Sequence, residues 1–195
     1  MNAAVFTLTL RQFAGQRRSL LMFGLALVPV ALAIIYRLGE HADQHHETAN
    51  FLADVVVTAI LPLACLILGT SALGSEIDDG TAVYILAKPV PRREIIVAKF
   101  AAVVLISAAF VVPATGVSGL IGLQGVSGEG IVAGFVVATL VGVFAYTAVF
   151  ILLSIATSRA LLVGLAYVFI WEGLMTELFS GARYLSIRQY CLGIA

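Results

Sequence analysis

Charged residues are scarce in this chain of 195 residues: they make up 11% of it, against the roughly 25% that is typical of soluble domains. Hydrophobic residues make up 61%, and the mean hydropathy is +1.07. A charge excess is also missing, because eleven Lys and Arg balance eleven Asp and Glu. The low fraction of charged residues excludes a water-soluble globular fold. The absence of a basic excess excludes the basic surface by which proteins bind nucleic acid. We therefore expect the lipid bilayer to surround the chain and no nucleic acid among its partners.

Motifs for chemistry are missing as well. The two cysteines, Cys65 and Cys191, are too few for a disulfide framework, and we expect both to be inert. The sequence has no G-x-x-x-x-G-K-[ST] motif for nucleotide binding and no H-E-x-x-H motif of a metalloprotease. Asp79 is the last aspartate, so an alcohol phosphotransferase would lack its downstream aspartates. An enzyme of lipid metabolism and a secondary carrier, which normally shows internal repeats, stay as alternatives without a motif of their own.

Long uncharged stretches, in contrast, are abundant. The five longest stretches between charged residues contain 18, 21, 29, 29 and 12 residues, and about 20 apolar residues cross a bilayer as a helix. The last stretch is too short alone, so its helix must continue through Glu172. The sequence therefore predicts an all-α polytopic membrane protein. Its five transmembrane helices are expected at residues 20–36, 55–73, 100–123, 131–157 and 160–179.

Basic residues are concentrated in alternate loops. They precede the first predicted span, lie between the second and third, and include Arg159 between the fourth and fifth. The loop from Arg37 to Asp54 has one Arg and four acids. Because Lys and Arg favour the cytoplasmic side, we predict a multi-pass protein of the plasma membrane with a cytoplasmic amino terminus. Five spans leave residues 172–195 as an outer or re-entrant segment, and a sixth span is expected but not seen.

The amino-terminal residues 1–18 have an amphipathic pattern. Phe6 and Phe13 fall on one helical face, and Arg11 and Arg18 fall on another. This pattern predicts a helix that lies in the membrane interface. The alternative is a solvated basic leader.

The loop of residues 75–99 contains eight of the 22 charged residues. Gly80 can end one helix, Thr81 can cap the next, and Pro89 stops it. Between them lies an apolar stripe formed by Val83, Tyr84 and Leu86. We predict a short amphipathic helix on the cytoplasmic side that docks onto a partner, with an ordinary polar loop as the alternative.

This loop resembles that of the permease subunits of type 2 ABC transporters, and the order of spans is similar along essentially the whole chain. The matching positions are Glu76, Gly80-Thr81, Leu86, Pro89, Arg92 and Lys99. The resemblance implies that contact with the ATPase is made by Glu76, Asp79, Gly80, Thr81, Tyr84, Leu86, Pro89 and Arg92.

The resemblance also implies an assembly. The helix after the Gly-Thr pair would be a coupling helix that transmits closure of the ATPase pair to the membrane path. Two permease subunits, the same or homologous, would stand on two ABC ATPase subunits, which bind ATP and Mg²⁺. This chain would carry no catalytic residue and no cofactor, and export is the expected direction. The family has six spans per subunit, so the missing sixth span is a departure from its pattern.

Two weaker sets of polar residues remain. His41 and His45 are spaced i, i+4 in the first outer loop, as a metal site on a helix would require, but acidic and histidine side chains are also common in such loops. Glu172 is a carboxylate inside the last span and is a candidate for the translocation path. The alternative places Glu172 and Glu177 outside the hydrocarbon, in a re-entrant segment.

Overall fold

The computed structural model describes residues 7–8, 17–37, 44–78, 91–123, 129–157, 159–175, 184 and 186–195, and these are almost entirely helical. The α-helices are α1 (Arg17–Arg37), α2 (Gln44–Phe51), α3 (Leu61–Asp78), α4 (Arg92–Gly122), α5 (Glu129–Ala156), α6 (Ala160–Ala166) and α7 (Ile187–Ile194). Two π-helical segments, π1 (Leu52–Ile60) and π2 (Tyr167–Met175), continue α2 and α6. The all-α prediction is thus confirmed for the part of the chain described.

Among the residues that the structure describes, three helical stretches are long and apolar enough to cross a membrane: Thr48–Ala72, Arg93–Gly122 and Gly130–Ala156. Two apolar helices are shorter, Met22–Arg37 and Ala160–Gly173. All five overlap the five predicted spans, so the chain passes the membrane several times, and the count of five stays a prediction.

Several helices extend beyond the predicted spans into polar sequence. The prediction of a loop up to Asp54 was wrong from Gln44 onwards, because α2, π1 and α3 form one continuous helix. Its polar first turns contain neither Gly nor Pro, so nothing in the sequence ends the helix where the apolar residues end. At the other end of this helix α3 continues to Asp78, and α4 begins at Arg92.

The π1 segment is explained by the proline that follows it. Pro62 has no backbone N–H to bond to the residue four positions before it, and its ring crowds that carbonyl. The chain responds with wider turns, in which the Leu61 N–H bonds to the Val56 carbonyl five residues back. The Thr58 hydroxyl donates to the Ala53 carbonyl at 2.9 Å, also five residues back. Proline thus becomes part of a long membrane helix without breaking it.

Helix α5 lies at the centre of the bundle. It packs against α3, α4, α6 and α7, while α1 packs mainly on α4. The core between them is apolar and includes Leu61, Val103 and Phe150, all buried. Large apolar side chains also cover the outside, among them Phe23, Ile35, Leu120, Phe144, Leu152 and Phe169. A surface this apolar is stable against lipid and not against water.

Glycines allow the closest helix contacts. A Cβ atom at Gly69 of α3 would lie 2.9 Å from the Phe150 Cβ of α5, and one at Gly164 of α6 would collide with Leu66. A Cβ at Gly122 of α4 would lie 2.8 Å from the Thr48 hydroxyl oxygen. Small residues let membrane helices approach closely enough for dispersion contacts to stabilise them. These contacts fix α3 and α4 on their neighbours.

Candidate functional site

The carboxyl-terminal half of α3 and the first turns of α4 are joined by a buried lysine. Lys99 is 1% exposed, and its Nζ donates to the Ala72 carbonyl oxygen of α3 at 2.6 Å. A buried ammonium group is costly unless it is hydrogen-bonded, so this contact holds the two helices in one relative position. The segment from 79 to 91, which the sequence marks as the docking element, starts and ends at these two helices. Lys99 therefore links the two helices that precede and follow that segment.

A second contact extends this connection to α5. The Ser154 hydroxyl of α5 donates to the Thr70 carbonyl of α3 at 3.2 Å, two residues before Ala72. Both donors and both acceptors are buried. Three helices are thus linked about two turns before Asp78, the last residue of α3.

The residues of the predicted coupling site can be placed only in part. Glu76 lies on the last turn of α3, and Arg92 is the first residue of α4, directly after Pro91. The remaining predicted coupling residues lie outside the described residues: Asp79, Gly80, Thr81, Tyr84, Leu86 and Pro89. The predicted interfacial helix at 1–18 lies almost wholly outside them too.

Glu172 forms the most polar buried site among the described residues. It lies on π2, its side chain is 4% exposed, and its two carboxylate oxygens accept four hydrogen bonds. The Ser186 hydroxyl donates at 2.7 Å, and the backbone N–H groups of Ile187 and Arg188 donate at 3.1 and 3.2 Å. The Tyr167 hydroxyl donates at 3.3 Å. The carboxylate is therefore bound by the first turn of α7.

Two general features of helices explain this arrangement. The first backbone N–H groups of a helix have no partner within it, and the helix dipole makes its start attractive to a negative charge. The Ser186 hydroxyl oxygen accepts from the Gln189 N–H at 3.3 Å and so caps α7. Glu172 completes the capping from a different segment of the chain. A carboxylate that would be unfavourable in the hydrocarbon is stabilised in this way.

The sequence contained a signal for α7 that we did not use. Ser186 and Gln189 have the S-x-x-Q spacing of a capping box, which marks the start of a helix. The sequence analysis found Glu172 but had no means of pairing it with Ser186, fourteen residues further along. Glu177, its expected companion, lies outside the described residues. If Glu172 were part of the translocation path, its carboxylate would have to give up its hydrogen bonds to α7 in order to bind a group of the translocated substrate.

Histidine and cysteine side chains do not form a second site in the part of the chain that can be described. His41 lies outside it, and His45 lies on α2. Within this part no group of three His, Cys, Asp or Glu residues could hold a metal ion. Cys65 and Cys191 are both free and buried. They approach adjacent positions of α5, Cys65 at Val143 and Cys191 at Gly142.

An apolar groove of about 330 Å³ runs between α1 and α4. Its lining includes Phe23, Leu27, Phe110, Pro113 and Val117. No charged side chain lines it, so the groove suits a hydrocarbon chain and not a polar ligand.

Comparison with known sequences and structures gives one match. The family model described as "ABC-2 family transporter protein" matches residues 16–173, from the start of α1 to π2. No curated protein matches the chain, and no solved structure does.

Proposed function

Because this chain belongs to the ABC-2 transporter family and is a membrane component of an ABC transporter, we propose that it forms the translocation pathway of an exporter. The match over residues 16–173 is the observation that carries the proposal, since it includes the three long apolar helices and the polar segment between α3 and α4. A chain of this family is a transporter subunit and not an enzyme by itself. The motor has to be supplied by ABC ATPase subunits.

In our proposal the segment between Asp78 and Arg92 is the coupling element. It connects the cytoplasmic ends of α3 and α4, which the Lys99 bond to Ala72 holds together. Closure of an ATPase dimer beneath it would push on both helix ends at once. Because α5 is tied to α3 through Ser154, the push would move three of the helices that surround the core. The coupling residues would be Glu76, Asp79, Gly80, Thr81, Tyr84, Leu86, Pro89 and Arg92.

The complete transporter would contain two permease subunits and two ATPase subunits. ATP and Mg²⁺ would bind to the ATPase subunits, in keeping with the absence of a P-loop from this sequence. The amino terminus would lie in the cytoplasm of a plasma-membrane protein, because the basic loops lie on that side. The substrate would have to pass a wall of Val, Leu, Ala and Phe side chains.

The proposal is tested by co-purification with an ABC ATPase encoded beside this chain. Residues 82–87 are replaced by a Gly/Ser linker of equal length, which removes the apolar stripe and keeps the loop length. The control makes residues 124–128, on the opposite side of the predicted membrane, consist of Gly and Ser alone by replacing Gln124 and Val126. We expect the first change to abolish association with the ATPase and the control to retain it. Association that survives the first change would refute the coupling role.

A further inference from the structure

The carboxylate of Glu172 is occupied by the chain itself. Its donors lie on both sides: Tyr167 on its own segment, and Ser186, Ile187 and Arg188 at the start of α7. We propose that Glu172 is a positioning residue and not a ligand for the translocated substrate. It holds α7 in its seat, by which we mean the surface of α5 on which α7 packs. This inference goes beyond the proposed function, because it concerns α7, which is not part of the proposed coupling element.

The depth of Glu172 supports an intramembrane position for this contact. Twelve uncharged residues separate it from Arg159, which ends the polar turn before α6. At about 1.5 Å per residue, they place Glu172 roughly 18 Å from that turn, past the middle of a hydrocarbon layer of about 30 Å. The Glu172 side chain is also buried within the protein, so water does not compete for the carboxylate. Its hydrogen bonds to α7 are correspondingly strong.

Two glycines of α5 leave room for α7 in this seat. A Cβ atom at Gly142 of α5 would lie 3.0 Å from the Cys191 sulfur, and one at Gly134 would lie 2.7 Å from the Ala195 carbonyl oxygen. Both positions are therefore open only because they are glycines. Cys191 itself is fully buried in this contact. The apolar side of α7 thus fits α5, and Glu172 fixes the polar start of α7.

A second charged contact of α7 is much weaker. Arg188 approaches Asp54 of π1 at 4.0 Å, and the Asp54 side chain is 75% exposed. An ion pair at the limit of contact distance, with one exposed partner, contributes little. The Glu172 contact is short, multiple and buried, so it should determine where α7 sits. Asp54 supplies the matched acidic control.

Cys191 is a built-in reporter of this position. The whole transporter, with its ATPase partner, is prepared with Cys65→Ala, which leaves Cys191 as the permease's single thiol, and is placed in lipid nanodiscs without ATP. The rate of maleimide labelling of the permease is followed by mass spectrometry. The buried Cys191 thiol reacts only when α7 moves away from α5 and exposes it. We compare this parent with Glu172→Gln, Ser186→Ala and Asp54→Asn added to it.

We expect Glu172→Gln and Ser186→Ala each to raise the labelling rate about ten-fold or more, because each removes charge-assisted hydrogen bonds that keep the seat closed. Asp54→Asn should label at the parent rate. If one bond set is responsible, the double variant Glu172→Gln, Ser186→Ala should label no faster than the faster single variant.

Labelling at the parent rate in both single variants would overturn the proposal. Equal acceleration by Asp54→Asn would also overturn it, since it would mean that any loss of charge near α7 has the same effect. If Glu172→Gln does not yield a single monodisperse peak, Ser186→Ala decides, because it keeps the carboxylate. The labelling needs no transport and no ATP turnover, so its result is independent of whether the coupling segment works as proposed.

Discussion

Replacing Lys99 should weaken the contact between α3 and α4. Lys99→Met keeps most of the buried side-chain volume and removes the ammonium group that donates to the Ala72 carbonyl at 2.6 Å. A hydrogen bond from a charged group contributes about 1.5–3 kcal/mol net, and part of this is returned because methionine has no charge to desolvate. The Ala72 carbonyl lies inside α3 and keeps its own helical partner. We therefore expect the free energy of unfolding to fall by about 1–2 kcal/mol.

The assay is reversible unfolding of the purified protein in mixed micelles, followed by the fluorescence of the single tryptophan, Trp171. Lys99→Ala should cost more, about 3 kcal/mol, because it also deletes the buried hydrocarbon stem. The control is Arg93→Met, which removes an exposed basic side chain from the same end of α4 and should change stability by less than about 0.5 kcal/mol. A Lys99→Met protein as stable as the wild type, or no less stable than Arg93→Met, would refute the structural role of Lys99.

Two further predictions concern the contacts of α3 with α5. Gly69→Ala should lower the free energy of unfolding by about 1–3 kcal/mol, because the new Cβ would lie 2.9 Å from that of Phe150. Gly24→Ala, with no atom within 4 Å, should be neutral or slightly stabilising, and equal effects of both would contradict the packing described. Ser154→Ala removes a 3.2 Å hydrogen bond to the Thr70 carbonyl and should cost about 1 kcal/mol in the same assay, whereas a stabilising effect would contradict that bond.

Apolar periodicity and charge spacing were sufficient to predict the long helices. Charges cannot enter the hydrocarbon without a cost, so the uncharged stretches before Glu76 and Arg159 correspond to α3 and α5. The same reasoning cannot give helix ends. A helix continues beyond the apolar stretch until a residue stops it, which is why α2 begins at Gln44 and α4 begins only after Pro91.

Contacts between distant segments were beyond the sequence analysis. The burial of Lys99 depends on how far α3 extends beside α4. The four donors of Glu172 lie before and after a segment whose sequence has no clear helical pattern. The π1 turn could have been expected from Pro62, since a proline inside an apolar span needs a local change of hydrogen bonding. The sequence singled out Glu172, whose side chain the structure buries, but its partner could come only from the fold.

Photo-crosslinking tests the central claim most directly. A benzophenone amino acid is placed at Tyr84, in the predicted coupling helix, and in a control protein at Tyr184, which is 78% exposed and lies beyond π2. The complete transporter is irradiated with and without ATP. The account predicts a crosslink from position 84 to the ATPase subunit, changed in yield by ATP, and none from position 184. A crosslink from position 184 and none from position 84 would contradict it.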